Sequence, residues 1–246
     1  MDRVLYIAMS GAQQTMLAQA ANSQNLANAN TTGFRSELSA FRSQPVFGPG
    51  YPSRVYAMAE SPGVNYSSGT LESTGRTLDV AVSGPGWIAV QAPDGSEAYT
   101  RAGDLRITTA GILETSTGFP VLGNGGPLAV PPHQKLAIGR DGTVSVVPLG
   151  QQPNTLAVVD RIKLVNPSPS DLQRSADGLF VSRSGKPVPP DANVQLISGA
   201  LETSNVNPVN AMVNMIELAQ AYEMQVKVMS TARQNDAATT QLMVIQ

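Results

Sequence analysis

From Val209 to Val244 the chain runs without a single glycine or proline. Ahead of it, Asn207-Pro208 is an N-cap followed by proline at the first helical position, where the missing donor costs nothing. Met212, Met215, Ala219, Tyr222, Val226 and Met229 recur at spacings of three and four, which predicts one helix with an apolar stripe. At 1.5 Å per residue it would be roughly 54 Å long, more than the width of a compact domain of this size. Each large side chain on the stripe gains ~1.5 to 3 kcal/mol on burial, so something covers it.

The other end of the chain carries a matching feature. Residues 4 to 34 hold no charged side chain, and Leu5, Met9, Ala12, Met16 and Leu26 fall along one helical stripe, with Gln19 and Ser23 interrupting it. Asn residues from Asn25 to Asn30 compete for backbone hydrogen bonds, and Gly33 can take positive φ, so this helix is expected to end near Asn28. The two terminal helices are expected to pair as a hairpin and to pack against further copies. Arg233 and Asp236 interrupt the second stripe as Gln19 and Ser23 interrupt the first, so the pair alone should be marginal and should order within an assembly. A cleaved secretory signal is not expected, because Asp2 offsets Arg3 and the apolar run stops at Met9.

Between the helices the pattern changes twice. Residues 36–69 are dense in turn formers (Pro45, Gly48, Pro49, Gly50, Pro52, Pro62, Gly63) and are expected to form an extended connector. From Leu78 short strand-like runs follow, among them Leu78 to Val82, Trp87 to Gln91, Glu97 to Arg101, Leu105 to Ile107, Thr143 to Val147, Arg161 to Val165 and Val194 to Ile197. Asp94-Gly95 marks a hairpin, and further turn signals stand at Gly111, Gly125, Gly142, Gly178 and Gly185. Ser68-Gly69-Thr70-Leu71-Glu72 and Ser198-Gly199-Ala200-Leu201-Glu202 bracket this region as paired bookends. The expected class is α+β: an all-β region at 70–200 inserted between an N-terminal helix within 1–35 and a C-terminal helix within 201–246, the two helices pairing as a coiled coil.

Composition excludes most chemistry. With 16 basic and 18 acidic residues, the net charge of -2 gives no footprint for nucleic acid or an anionic membrane. No run approaches the ~20 apolar residues of a transmembrane helix. The absence of Cys removes thiolate nucleophiles and sulfur-ligated metals, and a single His133 leaves little for acid/base or zinc chemistry. Gly84-Pro85-Gly86-Trp87-Ile88-Ala89 resembles a dinucleotide loop only superficially, since strand-like residues follow it where a helix is required. No catalytic, cofactor or metal site is expected. Trp87 and Tyr99, on opposite arms of the hairpin, suit a cross-strand core pair better than a sugar platform; that platform, with the turn carboxylates, is the basis of the alternative reading as a secreted glycan-binding protein.

Two distant motifs then point to a family. The run from Asn25 to Arg35, Asn25-Leu26-Ala27-Asn28-Ala29-Asn30-Thr31-Thr32-Gly33-Phe34-Arg35, resembles the N-terminal signature of bacterial flagellar rod and hook proteins, and Gly199 to Val206 resembles their C-terminal signature. Between them, Thr74 to Gly84 with Trp87, Tyr99-Thr100-Arg101-Ala102-Gly103 and Val121-Leu122-Gly123 look like the β-domain of that family. Gln24 departs from the family's usual second Asn. The resemblance implies a structural, non-enzymatic subunit of the basal-body rod in the periplasm, exported by the flagellar export apparatus without a cleaved signal. Its implied partners are copies of itself and other rod proteins. The assembly residues so implied are Leu5, Met9, Ala12, Met16, Asn25, Leu26, Asn28, Gly33 and Phe34, with Met212, Met215, Ala219, Tyr222, Val226 and Met229.

Overall fold

The computed structural model describes residues 2–45, 55–151 and 155–244. Two helices and a set of short strands make an α+β fold, and the helices pack on each other. The chain divides into a helical unit, taking in the described residues up to Ala29, within Ser36–Asn65 and from Val206 on, and a β unit of Asn30–Arg35 and Tyr66–Asn205.

In the helical unit, α1 spans Asp2–Ala27 and α2 spans Pro208–Val244. Asn207 caps α2 as expected, its Oδ1 accepting the Val209 and Asn210 amides at 3.0 and 3.1 Å. The helices run antiparallel: Asn22 Nδ2 donates to the Ala211 carbonyl at 2.7 Å, and a Cβ at Gly11 would meet the Gln225 side chain.

The segment expected to be a connector is instead a paired ribbon. Glu37–Pro45 lies antiparallel to Val55–Val64, in register from Glu37 opposite Val64 to Pro45 opposite Val55. Turn formers are absent from Glu37 to Gln44 and from Val55 to Ser61, so both arms are free to pair. Pro62 falls where the register shifts between Leu38 and Ala40, the irregular place in which a residue without an N–H is tolerated. Gly48, Pro49, Gly50 and Pro52 lie outside the described residues.

The β unit contains a five-stranded antiparallel sheet in the order Leu164–Val165, Trp87–Gln91, Glu97–Thr100, Phe180–Ser182, Leu172–Arg174. A three-stranded sheet orders Ala157–Arg161, Thr143–Pro148 and His133–Ile138, and smaller pairs complete the unit. The hairpin turns at Gly95, whose φ is 81°. One face of the five-stranded sheet sends Ile88, Val90 and Ala98 into the main core with Val80, Leu105, Leu113 and Val144. The bookends pair with each other: Leu71–Ser73 runs antiparallel to Ala200–Glu202, placing Leu201 opposite Glu72.

Candidate functional site

Side-chain burial along α1 recurs on a face one residue away from the expected stripe. Ala8, Gly11, Ala12, Thr15 and Ala18 are buried, whereas Met9 and Met16 are 52% and 56% exposed. Of the expected N-terminal residues, Ala12 is thus buried, Leu5 and Leu26 are half-buried, and the two methionines face outward. The reason is steric. A helix pair that brings Asn22 within hydrogen-bonding distance of the Ala211 backbone needs small residues at the crossing, and Ala, Gly and Thr supply them. On α2 the inward positions are Ala211, Met215, Leu218, Tyr222, Gln225 and Met229, again at alternating steps of four and three. Met215, Tyr222 and Met229, together with Ala219, are half-buried, while Met212 and Val226 are exposed at 49% and 42%.

The helical unit consequently keeps much apolar surface in water. Val4, Tyr6, Met9, Met16 and Leu17 on α1, and Met212, Val213, Ile216, Met224, Val226 and Val228 on α2, are all exposed. Val4, Met224, Val228 and Ala232 line an open apolar groove between the helices, with Lys227 and Asn235 at its edge.

Asn25 ties the end of α1 to the ribbon. Its Nδ2 donates to the Glu37 carbonyl at 2.9 Å and its Oδ1 accepts the Glu37 amide at 2.8 Å, so one side chain pairs with both backbone groups as a neighbouring strand would. Asn28, half-buried, donates Nδ2 to the Gln24 carbonyl at 2.9 Å and closes the last turn of the helix.

In the β unit the two terminal signatures meet. Gly33, at φ 67°, donates its amide to the Glu202 carbonyl at 2.8 Å, and a Cβ there would come within 2.3 Å of the Arg101 carbonyl carbon. Phe34 is buried beneath the Arg174 guanidinium, 4.6 Å above its ring. Arg35 places Nη2 2.6 Å from Glu202 Oε1, and Arg101 places Nη1 2.9 Å from Oε2. The Gly69 amide of the first bookend also donates to Oε1, at 2.9 Å. Arg101 further donates to the Gly84 carbonyl at 2.7 Å. One carboxylate therefore binds the N-terminal signature, the hairpin arm and both bookends, with Arg35 1%, Arg101 4% and Glu202 1% exposed. Burial lowers the pKa of Arg101; Glu202 opposes that shift and Arg35 adds to it.

Residue-type reasoning does not single out Arg35, Arg101 and Glu202 as a cluster. All three stood inside the motifs that carry the family resemblance, which was the available signal. Trp87 and Tyr99 are not a cross-strand pair. Tyr99 lies opposite Ala89 and Phe180, and Trp87 packs 4.6 Å from the Phe180 ring with Arg101 5.5 Å from its own. At 5% and 0% exposure neither ring offers a platform to a sugar. Tyr99 Oη accepts the Val188 amide at 2.9 Å, and burial pushes its pKa up to about 12.

Within the β unit, both terminal signatures are thus joined at the one buried carboxylate of Glu202. Three family descriptions match in order along the chain: "Flagella basal body rod protein" over residues 5–35, "Flagellar hook protein FlgE/F/G D1 domain" over 81–146, and "Flagellar basal body rod FlgEFG protein C-terminal" over 197–242. The flagellar basal-body rod protein FlgF of Salmonella typhimurium is 43% identical over 99% of both chains, as is FlgF of Escherichia coli. FlgG of Bacillus subtilis is 31% identical over 94% of this chain and 96% of its own. The chain belongs to the flagellar basal-body rod protein family.

Proposed function

We propose that this protein is a structural subunit of the flagellar basal-body rod, of the FlgF type and hence of its proximal part, and that it catalyses no reaction. Its terminal helices pair as an antiparallel coiled coil and assemble with copies of the chain and with other rod proteins. The chain reaches the periplasm through the flagellar export apparatus without a cleaved signal. Among the described residues no helix is long and apolar enough to cross a membrane.

The observation that carries this reading is the outward apolar surface of the helical unit. Met9, Met16, Met212 and Val226 belong to regular helices yet stay exposed, and at ~1.5 to 3 kcal/mol for each large side chain, their burial supplies a driving force for association. The small-residue seam of α1 holds the pair together within one subunit and leaves the larger residues for neighbours. Asn25, Asn28, Gly33 and Phe34 act differently: Asn25 and Asn28 hold the end of α1 and tie it to the ribbon, while Gly33 and Phe34 anchor the N-terminal signature within the β unit.

The test is Met212→Asp in a motile cell whose own copy of the gene is deleted. Rod assembly and motility should be lost while the purified variant keeps the near-ultraviolet signal of Trp87. A variant that assembles normally overturns the role given to this surface.

A further inference from the structure

The sequence contains one Asn-Gly pair, Asn124-Gly125, and three Asp-Gly pairs at Asp94, Asp141 and Asp177. All four are prone to the same intramolecular reaction, in which the glycine nitrogen attacks the preceding side-chain carbonyl, because glycine has no side chain to obstruct it. The fold treats them differently. The Gly95, Gly142 and Gly178 amides are each donated to a turn carbonyl, of Ala92, Gly139 and Ser175, at 2.9, 3.0 and 3.1 Å. Asp94 and Asp141 are also held ionised, their pKa values lowered by hydrogen bonds from Ser96 and Thr143, and a carboxylate is a poor electrophile.

Gly125 has none of these restraints. Its amide donates to no group among the described residues, a Cβ built on it would touch nothing within 4 Å, and both it and Asn124 are exposed. The Gly123 amide, bonded to the Gly126 carbonyl at 2.7 Å, closes the turn that presents them. We propose that Asn124 is a site of spontaneous deamidation in the folded protein, the position at which an ageing subunit is first marked.

The reaction needs only base and water. Hydroxide removes the Gly125 amide proton, and the nitrogen attacks Asn124 Cγ. The Cγ–Nδ2 bond breaks, and ammonia leaves after taking a proton from water. Water then opens the succinimide at either carbonyl, giving Asp or isoaspartate. The product has a local consequence, because Asn124 Nδ2 donates to Asp160 Oδ1 at 3.2 Å and the Asn124 amide approaches the same oxygen at 3.4 Å. Deamidation replaces that donor with a carboxylate facing a carboxylate, which is repulsive. Asp160 cannot retreat freely, since its Oδ1 also accepts the Arg161 amide at 2.7 Å and its Oδ2 fills the space where a side chain at Gly123 would lie.

The test is ageing of the full chain in mildly alkaline buffer, folded and in urea, followed by peptide mapping and labelling with an isoaspartyl methyltransferase. The folded protein should gain the deamidation mass and the label in the peptide holding Asn124, with the three Asp-Gly peptides unlabelled; in urea all four should be labelled. Gly125→Ala should slow conversion of the folded chain by at least about tenfold. Labelling of the Asp-Gly peptides in the folded chain at a rate equal to that of Asn124, or a Gly125→Ala variant that converts as fast as the parent, overturns the proposal.

Discussion

Glu202 Oε1 lies 2.6 Å from Arg35 Nη2, a partner 167 positions earlier in the chain. The pair is desolvated on both sides, and the same carboxylate also holds Arg101, so Glu202 is the anion of a three-residue ionic cluster that carries two guanidinium groups. Buried ion pairs contribute little over an apolar replacement, but removal of one partner leaves an uncompensated charge.

Glu202→Gln is therefore expected to destabilise the β unit by about 3 to 5 kcal/mol, since it strands two buried guanidinium groups. Trp87, the one tryptophan, sits against Arg101 and reports the event. Urea unfolding followed by its fluorescence should show a large fall in midpoint. An unchanged midpoint would mean that the cluster is not buried as described.

Gly33→Ala should be poorly tolerated for two reasons that act together. A left-handed backbone costs a non-glycine residue about 1 to 2 kcal/mol, and the new Cβ would collide with the Arg101 backbone, which cannot rotate away as a side chain could. Hydrogen exchange of the Gly33 amide, bonded to Glu202 O, should accelerate in this variant and remain slow in the parent.

Asn25→Ala removes both hydrogen bonds to Glu37, each with a net value of about 0.5 to 1.5 kcal/mol. The Glu37 amide should exchange faster while the Val209 amide, capped by Asn207, keeps its rate. Equal acceleration at both would indicate loss of the whole helical unit.

Tyr99 sets an alkaline limit. Its folded pKa of about 12 exceeds the model-peptide value of 10.0, so the unfolded chain releases this proton first. The contribution is fully present below pH 10, and stability falls as pH rises from there toward 12, by up to about 2 to 3 kcal/mol. Tyr99→Phe should cost about 1 kcal/mol at neutral pH through loss of the Val188 hydrogen bond, and should flatten the alkaline fall. An alkaline slope equal to that of the parent would contradict this.

Where the sequence carries a local signal, the fold was legible. The Asn207-Pro208 cap, the end of α1 next to Asn28 and the turn at Asp94-Gly95 each follow from side-chain chemistry within a few residues, and each stands where expected. Pairing of the two bookends was legible as an internal repeat. The ribbon at Glu37–Val64 was not, because its turn formers dominate the composition while its pairing is a non-local property. His133–Ile138, Leu172–Arg174 and Phe180–Ser182 likewise lack a local pattern strong enough to find them. Within the chain, the inward face of α1 lies one residue from the stripe that Met9 and Met16 mark, because close helix approach selects Ala8, Gly11, Thr15 and Ala18 and leaves the large side chains outward. Arg35 and Glu202 looked like ordinary charged residues in the sequence, since nothing local reveals that they will be buried against each other.

If neighbours in the rod cover the outward apolar face of the helical unit, side chains on that face lose their exposure on assembly. Because the chain has no cysteine, Met16→Cys and Ala18→Cys each introduce a single thiol, one exposed and one buried in the seam. Thiol labelling of the purified subunit and of isolated basal bodies compares the two states. The expected result is rapid labelling of Met16→Cys in the free subunit, its protection in basal bodies, and protection of Ala18→Cys in both. Labelling of Met16→Cys in basal bodies as fast as in the free subunit would contradict it.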